Sequence, residues 1–288
     1  MELLKGKPVA DLISQHIEQN VEHLLDNGIV PTLGILRVGS NESDIAYENS
    51  AEKKAKSLGI FVEKFIMDEN SREEDVIDVI KFINDNKNIH GLLMFRPLPK
   101  HMNEDRVRNH LKAEKDIDGI TDGSLAGIFT GGGTGFPPCT AEAAMTILEH
   151  YGVDVAGKKV VVIGRSLVIG KPVAMMLMEK NATVTICHSR TAPEDLKKYC
   201  QDADIIVTAT GKIGTLTAEH VNGKQIIVDV GINFNEEGKM CGDADFAGIE
   251  AAEGAAAMTP VPGGVGGVTT VLLLHHVIAA AMGSLQNQ

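Results

Sequence analysis

Residues 158–191 constrain the fold more than any other stretch of the chain. A β-branched run at residues 160–163 is followed by a glycine-containing turn, a helical pattern and a second apolar run at residues 183–187. Strand, turn, helix and strand in this order form the first unit of a dinucleotide-binding sheet. Gly164 permits a tight turn and Gly170 a close backbone approach, so the pattern predicts a pyrophosphate at the helix N-terminus.

The spacing of these glycines leaves a second interpretation open. Five residues separate Gly164 from Gly170, and the middle glycine of the usual dinucleotide fingerprint is missing. The alternative is an ordinary strand-to-helix turn in an α/β domain. Other parts of the chain must therefore decide between the two.

The end of the second apolar run favours NADP over NAD. NAD-preferring sites usually carry an acidic residue there, which holds the ribose hydroxyls. Residues 188–191 contain no acid. Arg190, with Arg165 and Ser166 in the first turn, suits a 2′-phosphate because a guanidinium offers a fixed fork of donors to phosphate oxygens. The alternative is that both arginines are solvated surface residues.

The remaining chain alternates helical and extended patterns, which predicts parallel α/β sheets. Before the glycine-rich stretch at residues 131–138, which is typical of a hinge or linker, the pattern predicts helices at residues 8–26, 43–58, 71–84 and 103–111 and strands at residues 32–38, 60–66 and 90–95. After that stretch it predicts helices at residues 140–151 and 268–282 and further strands at residues 205–208 and 225–230.

Composition argues against several classes of partner. The net charge of −12 disfavours nucleic acid or an anionic membrane. The first 20 residues are too polar for a signal peptide, and the apolar run at residues 268–282 is short for a membrane span. The four cysteines are scattered without a C-x-x-C pair, which favours a reducing cytoplasmic setting and predicts no metal site.

Two turns and one loop are expected near the same cofactor. Residues 209–211 and 229–233 follow predicted strands, and open α/β sheets bind ligands at the carboxyl ends of their strands. Routine turn chemistry is the alternative for each. The loop at residues 259–267 combines prolines with glycines, so it can bring backbone close to a flat ligand, unless it is a plain linker.

Together these motifs resemble the methylenetetrahydrofolate dehydrogenase/cyclohydrolases of one-carbon metabolism, over nearly the whole chain. The matching stretches are residues 38–39 with Tyr47 downstream, 97–99, 115–119, 138–140, 162–166 with 170–172, 229–233, 242–243 and 259–266. The last stretch is highly specific.

The resemblance implies an α/β fold of two domains flanking a cleft, the second a Rossmann-like dinucleotide-binding domain. Residues 1–138 with 268–288 would form the folate-binding catalytic domain, and residues 139–267 the NADP-binding domain. The family oxidises 5,10-methylenetetrahydrofolate to the methenyl form with NADP and then hydrolyses it to 10-formyltetrahydrofolate. A tetrahydrofolate derivative as substrate, a cytoplasmic homodimer and a link to purine biosynthesis follow from the same resemblance.

The site residues that the resemblance and the motifs imply form two groups. Tyr47 and Asp118 are the expected catalytic and substrate-binding residues, and a carboxylate such as Asp118 can accept hydrogen bonds from pterin N–H groups. The other expected substrate contacts are Pro262, Gly263 and Gly264. The expected cofactor contacts are Gly164, Arg165, Ser166, Gly170, Ser189, Arg190, Thr210 and Ile232.

The chain departs from the family pattern on the predicted helix at residues 43–58. The family places a serine, a tyrosine and a lysine on one helix face, where this chain has Asp44, Tyr47 and Ala51. Phe95 replaces the glutamine ahead of the Pro-Leu-Pro motif. Alanine has no proton to move, and phenylalanine cannot orient an amine or a water. We therefore expect a dehydrogenase whose cyclohydrolase activity is weak or absent.

Several alternatives stay open at this stage. Lys54 could replace the missing lysine and preserve the full bifunctional activity. Asp44 could weaken binding of an anionic folate, or it could be a favourable charge at a helix N-terminus. The chain could also be a non-catalytic nucleotide-binding homologue or a dehydrogenase for another small substrate. For His275 and His276, burial in the last helix is the expectation and a role in the site the alternative.

Overall fold

The computed structural model describes residues 1–285, which contain eleven strands and ten α-helices. The strands are β1 (Glu2–Leu3), β2 (Thr32–Val38), β3 (Phe61–Met67), β4 (Gly91–Met94), β5 (Lys159–Ile163), β6 (Thr183–Cys187), β7 (Ile205–Thr208), β8 (Ile226–Asp229), β9 (Asn233–Phe234), β10 (Met240–Cys241) and β11 (Ala257–Met258). The helices are α1 (Gly6–Asp26), α2 (Glu42–Ser57), α3 (Glu73–Asp85), α4 (Glu104–Arg108), α5 (Asp122–Thr130), α6 (Cys139–His150), α7 (Gly170–Glu179), α8 (Pro193–Asp202), α9 (Phe246–Ala251) and α10 (Gly266–Leu285).

The chain divides into two compact units. Unit 1 comprises Met1–Asp11 and Thr140–Thr269, and unit 2 comprises Leu12–Cys139 and the residues from Thr270 onward. Each unit contains a parallel sheet with helices connecting its strands.

Unit 1 is built on a six-stranded parallel sheet with the strand order β1-β11-β8-β7-β5-β6. The central strands are apolar and largely buried, because parallel strands are covered on both faces. Ile163 is the register partner of both Cys187 and Thr208, and Thr208 is in turn the partner of Asp229. Four neighbouring strands therefore end along one edge of the sheet, and the turns that follow them lie side by side.

The N-terminal segment belongs to unit 1, whereas the sequence predicts it in the first domain. Strand β1 pairs with β11, and Leu4 N–H donates to Met258 O at 2.9 Å. Gly6 N–H donates to Gly263 O at 2.8 Å, and a Cβ on Gly6 would lie 2.1 Å from Gly264 O. A two-residue strand carries no periodicity, so the sequence pattern has no signal for this pairing.

Unit 2 contains a three-stranded parallel sheet with the order β3-β2-β4. The buried residues of helix α3 recur at helical spacing and so form one apolar face. This face packs toward the sheet. The core of the unit includes Leu36, Val76, Ile77, Ile80, Ile83, Ile89 and Leu92, all fully buried. This packed sheet carries α2 and the loops that follow β4.

Helix α10 is long and apolar enough to cross a membrane by length and composition alone. Half of its apolar window is buried inside the protein, and core helices of globular proteins meet the same criterion. Val271, Leu274 and Val277 are among its buried residues.

Candidate active site

The turn between β5 and α7 is built by two close backbone contacts. Gly164 has φ +135°, and a Cβ there would lie 2.3 Å from Ala209 O. A Cβ on Gly170 would lie 2.3 Å from Gly164 O. Only glycine fits at these two positions, and α7 begins directly behind the turn without a side-chain cap. An uncapped helix N-terminus beside a glycine turn is suited to a phosphate group.

Two cationic side chains stand at this edge of unit 1. Arg165 follows β5 and Arg190 follows the neighbouring β6, and both are exposed. Within residues 1–285 neither guanidinium forms an ion pair. Ser189 is exposed beside Arg190, and the Ser166 hydroxyl accepts a hydrogen bond from Ile169 N–H at 3.2 Å. The residues present thus fit a dinucleotide that carries a 2′-phosphate.

A buried carboxylate organises the turns after β7 and β8. Asp243 accepts hydrogen bonds from the Thr208 hydroxyl, the Thr210 hydroxyl and Asn233 Nδ2 at 2.9–3.0 Å. It also accepts the backbone N–H of Lys212 at 3.0 Å. The Thr210 hydroxyl and the backbone N–H groups of Thr210, Gly211 and Lys212 all donate to Asp243, so this carboxylate fixes the shape of the turn. Asp243 has no signal in the sequence beyond its membership of a short matching motif.

Ile232, expected among the cofactor contacts, is 58% exposed and offers apolar surface in the turn after β8. The carboxylate that ends β8, Asp229, is buried and accepts hydrogen bonds from Gly231, Asp243 and Ala244 N–H. Burial raises the pKa of Asp229 to about 6, although these three bonds oppose the rise.

The proline- and glycine-rich loop after β11 is fixed at both ends. Thr259 is buried, and its hydroxyl accepts a hydrogen bond from Asp229 N–H at 2.7 Å. At the other end Gly263 has φ +102°, and its carbonyl accepts from Gly6 N–H. Pro262 and Gly263 are exposed, whereas Gly264 is buried. The loop therefore offers a short, fixed stretch of exposed backbone.

In unit 2, α2 carries Asp44, Tyr47 and Ala51, the three positions that the sequence leads us to compare with the family pattern. The helix begins behind Asn41, whose side chain accepts from Ser43 N–H at 2.9 Å. Asp44 lies in the first turn, where the helix dipole favours an acid. Tyr47 and Ala51 follow on one face; the Tyr47 side chain is 38% exposed and Ala51 is fully buried.

Phe95 packs directly against Tyr47. It follows β4, is 9% exposed, and its ring centroid lies 5.9 Å from that of Tyr47 in an edge-on arrangement. Burial raises the pKa of the Tyr47 hydroxyl, a hydrogen bond with Thr270 opposes the rise, and the charge of Asp118 adds to it. Tyr47 is therefore a neutral donor at physiological pH.

The two acids of the Lys-Asp-Ile-Asp-Gly motif have different environments. Asp116 is fully buried and accepts hydrogen bonds from Thr121 N–H and the Ser124 hydroxyl, both at 2.7 Å. It fixes the start of α5 and is structural. Burial raises the pKa of Asp118 to about 6, against the opposing charge of Arg96 and a hydrogen bond with Cys139. A carboxylate that titrates near neutrality is a common feature of functional sites.

Three further residues surround Asp118. Cys139 Sγ lies 3.2 Å from Ile117 O and 3.6 Å from His276 Nδ1. His276 Nδ1 lies 2.7 Å from the same carbonyl, and the ring stacks on Phe136 at 4.6 Å. His276 is thus a buried residue that holds the backbone next to Asp118. Arg96 has no motif in the sequence, and only its position just before the Pro-Leu-Pro turn could have suggested it.

None of the lysines on α2 or β3 takes the place of Ala51. Lys53 is exposed, and Lys64 is bound to Glu48 Oε1 at 2.9 Å and to Glu52. Lys54 is half-buried and lies seven residues beyond Tyr47, about 10 Å farther along the helix axis.

A cavity of about 920 Å³ in unit 2 is lined by Phe136, which stacks on His276, but not by Tyr47, Phe95 or Asp118. It opens where β2 and β4 begin, and its lining includes Thr32, His90 and Lys115. His90 Nδ1 accepts from Thr32 N–H at 3.1 Å, and burial lowers the pKa of His90 to about 4. Across residues 1–285 no group of three or more His, Cys, Asp or Glu side chains could hold a metal ion.

Comparison with known proteins identifies the family. The family model described as "Tetrahydrofolate dehydrogenase/cyclohydrolase, catalytic domain" matches residues 4–118, and that described as "Tetrahydrofolate dehydrogenase/cyclohydrolase, NAD(P)-binding domain" matches residues 138–285. The bifunctional protein FolD of Alkaliphilus oremlandii is 47% identical over 96% of each chain. The FolD protein of Clostridioides difficile is 44% identical over 99% of this chain and 98% of its own.

Solved structures agree with this relationship. The FolD methylenetetrahydrofolate dehydrogenase/cyclohydrolase of Campylobacter jejuni has a TM-score of 0.94 at 34% identity, covering 99% of each chain. The Trypanosoma brucei enzyme, solved with NADP and an inhibitor, has a TM-score of 0.89 at 29% identity, covering 99% of this chain and 98% of that one. The predicted α/β fold with a Rossmann-like nucleotide domain is confirmed. The chain belongs to the tetrahydrofolate dehydrogenase/cyclohydrolase family.

Proposed function

We propose that the chain catalyses NADP-dependent oxidation of 5,10-methylenetetrahydrofolate to 5,10-methenyltetrahydrofolate, with weak or absent hydrolysis to 10-formyltetrahydrofolate. One observation carries the proposal: Tyr47 and Asp118 are present, while buried Ala51 and Phe95 stand where the family resemblance leads us to expect a lysine and a glutamine. The first reaction needs two rings held face to face, whereas the second needs protons to be moved.

The edge of unit 1 supports NADP as the cofactor. When bound, NADP accepts the hydride that leaves the methylene carbon. In this proposal the turn at Gly164 and Gly170 receives the pyrophosphate, and Arg165 and Arg190 hold the 2′-phosphate. Both guanidinium groups are exposed and outside any ion pair among the described residues, so neither must break a contact to bind phosphate.

Unit 2 supplies the proposed contacts to the pterin. Asp118 accepts hydrogen bonds from the ring N–H and amino groups, and Tyr47 donates from a hydroxyl that stays neutral. On unit 1, Pro262, Gly263 and Gly264 remain expected substrate contacts, and the first two are exposed. A cytoplasmic homodimer, which the family resemblance implies, belongs to the same proposal.

Hydrolysis of the methenyl product requires a group that activates water and another that protonates the opening ring. Ala51 and Phe95 can do neither, and Lys54 lies too far along α2 to act from the same place. Tyr47 remains, but its raised pKa makes it a poor base at pH 7. We therefore expect methenyltetrahydrofolate to accumulate as the product.

A spectrophotometric assay of the purified chain with methylenetetrahydrofolate and NADP tests the proposal. Reduced cofactor and methenyl product are followed separately, with the Asp118→Asn variant as the inactive control. The proposal expects both species to appear in equal amounts and the methenyl species to persist. Reduction of NADP without methenyl build-up would mean that the hydrolase step works, with Lys54 as the first residue to test. No reduction would favour the non-catalytic homologue or another substrate.

A further inference from the structure

The cavity of unit 2 that opens where β2 and β4 begin has the size of a small-molecule site. Its volume of about 920 Å³ lies within the range of ligand pockets. Phe136 adds an aromatic ring to the lining. Much of the remaining wall consists of residues without bulky side chains, which are Gly28, Gly133, Gly135, Ala279, Ala280 and Gly283. A wall of this kind leaves room for a flat molecule beside the ring.

Lys115 brings a positive charge to the cavity. Its side chain is partly buried, and Nζ donates to Ile83 O at 2.5 Å and to Asn86 O at 2.6 Å. Both acceptors are neutral carbonyls, and within residues 1–285 the ammonium forms no ion pair. Exposed Glu114 and Lys87 also line the cavity, and their charges offset each other. An ammonium has three N–H donors, so Lys115 keeps one for an anionic ligand.

His90 adds a neutral donor at the same end of the cavity. It is 7% exposed, and Nδ1 accepts from Thr32 N–H at 3.1 Å, so the proton of the neutral ring is on Nε2. Nε2 makes no hydrogen bond with residues 1–285 and is not enclosed by protein, so its N–H faces the cavity. Asn86 O accepts from both Lys115 Nζ and Ile89 N–H, which places the anchor of Lys115 next to His90.

The cavity is connected to Asp118 in two ways. Lys115 precedes Asp118 by three residues in the same loop. Phe136 stacks on His276 with 4.6 Å between the ring centroids, and His276 Nδ1 lies 2.7 Å from Ile117 O. That carbonyl belongs to the peptide bond that leads into Asp118. A molecule in the cavity therefore contacts two residues that help to position the Asp118 loop.

We propose that this cavity is an effector site for a small aromatic carboxylate. The aromatic ring lies beside Phe136, and the carboxylate accepts from Lys115 Nζ and His90 Nε2. A single carboxylate matches one charged and one neutral donor. Through the Asp118 loop, occupation of the cavity changes the affinity for the folate. The effector role rests on the proposed function, because it is measured at the folate site, whereas binding to the cavity does not.

Fluorescence titration with 2-naphthoate tests the site, since the chain contains no tryptophan that would interfere. We expect saturable binding that is at least about 10-fold tighter than that of 2-naphthamide, which has the same rings without the charge. Lys115→Met should weaken 2-naphthoate binding by a similar factor. Lys112→Met is the matched control and should leave binding unchanged, because Lys112 is exposed, pairs with Asp85 and does not line the cavity.

A second variant tests the site without touching its polar groups. A Cβ on Gly283 meets no heavy atom within 4 Å, so Gly283→Leu places its side chain in the open space of the cavity. This variant should abolish binding of 2-naphthoate while the contacts of Lys115 stay intact. Equal binding of the two probes, or 2-naphthoate binding that survives both Lys115→Met and Gly283→Leu, would overturn the site.

Binding of tetrahydrofolate tests the effector role. Saturating 2-naphthoate should change the Kd for tetrahydrofolate by at least about 5-fold, and tetrahydrofolate should change the Kd for 2-naphthoate by the same factor. The effect should reach a plateau, whereas a probe that competes at the folate site weakens tetrahydrofolate binding without limit. An unchanged Kd, or competition without a plateau, would overturn the effector role. Failure to bind tetrahydrofolate while 2-naphthoate still binds would overturn the proposed function and the effector role, but not the site.

Discussion

At the scale of single residues, the proposed loss of hydrolysis depends on two positions with apolar side chains. Ala51 is smaller than the family's lysine and Phe95 is larger than its glutamine, and the Phe95 ring packs on Tyr47. The exchange suggests that the lost groups can be restored together. A lysine alone at position 51 would restore the amine but not the glutamine that is expected to orient it.

We predict that the double variant Ala51→Lys with Phe95→Gln hydrolyses methenyltetrahydrofolate at least about 10-fold faster than the unaltered chain, because general acid–base groups typically contribute 100-fold or more. The decay of the methenyl absorbance measures this rate. The variant Ala51→Leu with Phe95→Gln is the matched control, since it restores bulk without an amine. Equal rates in the two double variants would show that position 51 no longer controls hydrolysis.

Asp118 is predicted to lower the stability of the protein at neutral pH. Burial raises its pKa to about 6, so the folded chain binds a proton that the unfolded chain has already lost between about pH 4 and pH 6. The free energy of unfolding therefore falls as the pH rises through this window, and the loss is complete above it.

Asp118→Asn should accordingly raise the Tm at pH 7.5. The corresponding gain in the free energy of unfolding should be no more than about 3 kcal/mol. The same variant should show little gain at pH 4, and it should lose dehydrogenase activity at every pH. Thermal unfolding at the two pH values measures the difference. A gain of equal size at both would assign the effect to packing rather than to the buried charge.

The sequence predicts the chemical positions of the site better than their environments. Tyr47, Ala51 and Phe95 could be placed because they belong to a motif of fixed spacing. The contact of Phe95 with Tyr47 and that of His276 with Ile117 O join residues from distant parts of the chain. Such contacts depend on how the strands pack, which no local pattern contains.

At the scale of elements, α2 is fixed to its sheet by a buried network of charges. Arg37 Nε on β2 lies 2.6 Å from Glu48 Oε2, and Lys64 Nζ on β3 lies 2.9 Å from Glu48 Oε1. Arg37 and Glu48 are 8% and 4% exposed. Because Glu48 follows Tyr47 directly, this network also sets the position of the tyrosine.

We predict that Glu48→Gln lowers the free energy of unfolding by about 3–5 kcal/mol, since it leaves the Arg37 charge buried without its partner. The double variant Arg37→Met with Glu48→Met should be much closer to the unaltered chain. Urea unfolding of the three proteins measures this. A double variant that is less stable than Glu48→Gln would mean that the pair itself, rather than the orphaned charge, holds the helix.

The same pair gives a pH dependence of known sign. Burial raises the pKa of Glu48, but hydrogen bonds from Arg37 and Lys64 outweigh it and the net pKa is lowered. The stabilisation is therefore present above the unfolded pKa of Glu and lost as the pH falls through the folded value. The stability gap between the unaltered chain and Glu48→Gln should narrow below about pH 4.

Gly170 is predicted to be essential for cofactor binding at the start of α7. A Cβ on this residue would lie 2.3 Å from Gly164 O, so alanine must displace either the turn or the helix. We expect Gly170→Ala to weaken NADP binding at least about 10-fold, because the turn and the helix N-terminus act together on phosphate. Gly283→Ala, on α10 in unit 2, is the control, since no heavy atom lies within 4 Å of its Cβ. Isothermal titration with NADP separates the two variants.

Elements with strong periodicity are predicted well from the sequence. Strands β2, β6 and β7 have the predicted bounds. Helices α1, α2, α3, α6 and α10 begin and end within three residues of their predicted bounds. Helices α5 and α8 are missing from the prediction, because Asp122–Thr130 has two glycines and Pro193–Asp202 is mostly polar. Strands of two residues, such as β1 and β11, exist only through their pairing.

At the scale of the whole molecule, the chain is not divided at a single point. Unit 1 takes its first strand from residues 2–3 and the rest of its sheet from beyond residue 158. Glu2 N–H donates to Ala256 O at 2.8 Å, and Leu4 N–H donates to Met258 O at 2.9 Å. The N-terminus should therefore respond to ligands of unit 1, although the chain enters unit 2 directly after Asp11.

Hydrogen exchange with and without NADP tests this division. A ligand at 100 times its Kd stabilises the state that binds it by about 2.7 kcal/mol, so amides that exchange when unit 1 opens should slow by roughly 100-fold. We expect the amides of Glu2 and Leu4 to slow together with those of β5, β7 and β8, while the amides of β2 and α3 change much less. If the N-terminal amides instead follow β2 and α3, then β1 opens independently of the nucleotide-binding sheet. Equal slowing everywhere would mean that the two units open as one cooperative body, because a ligand can protect only the amides that open together with its own site.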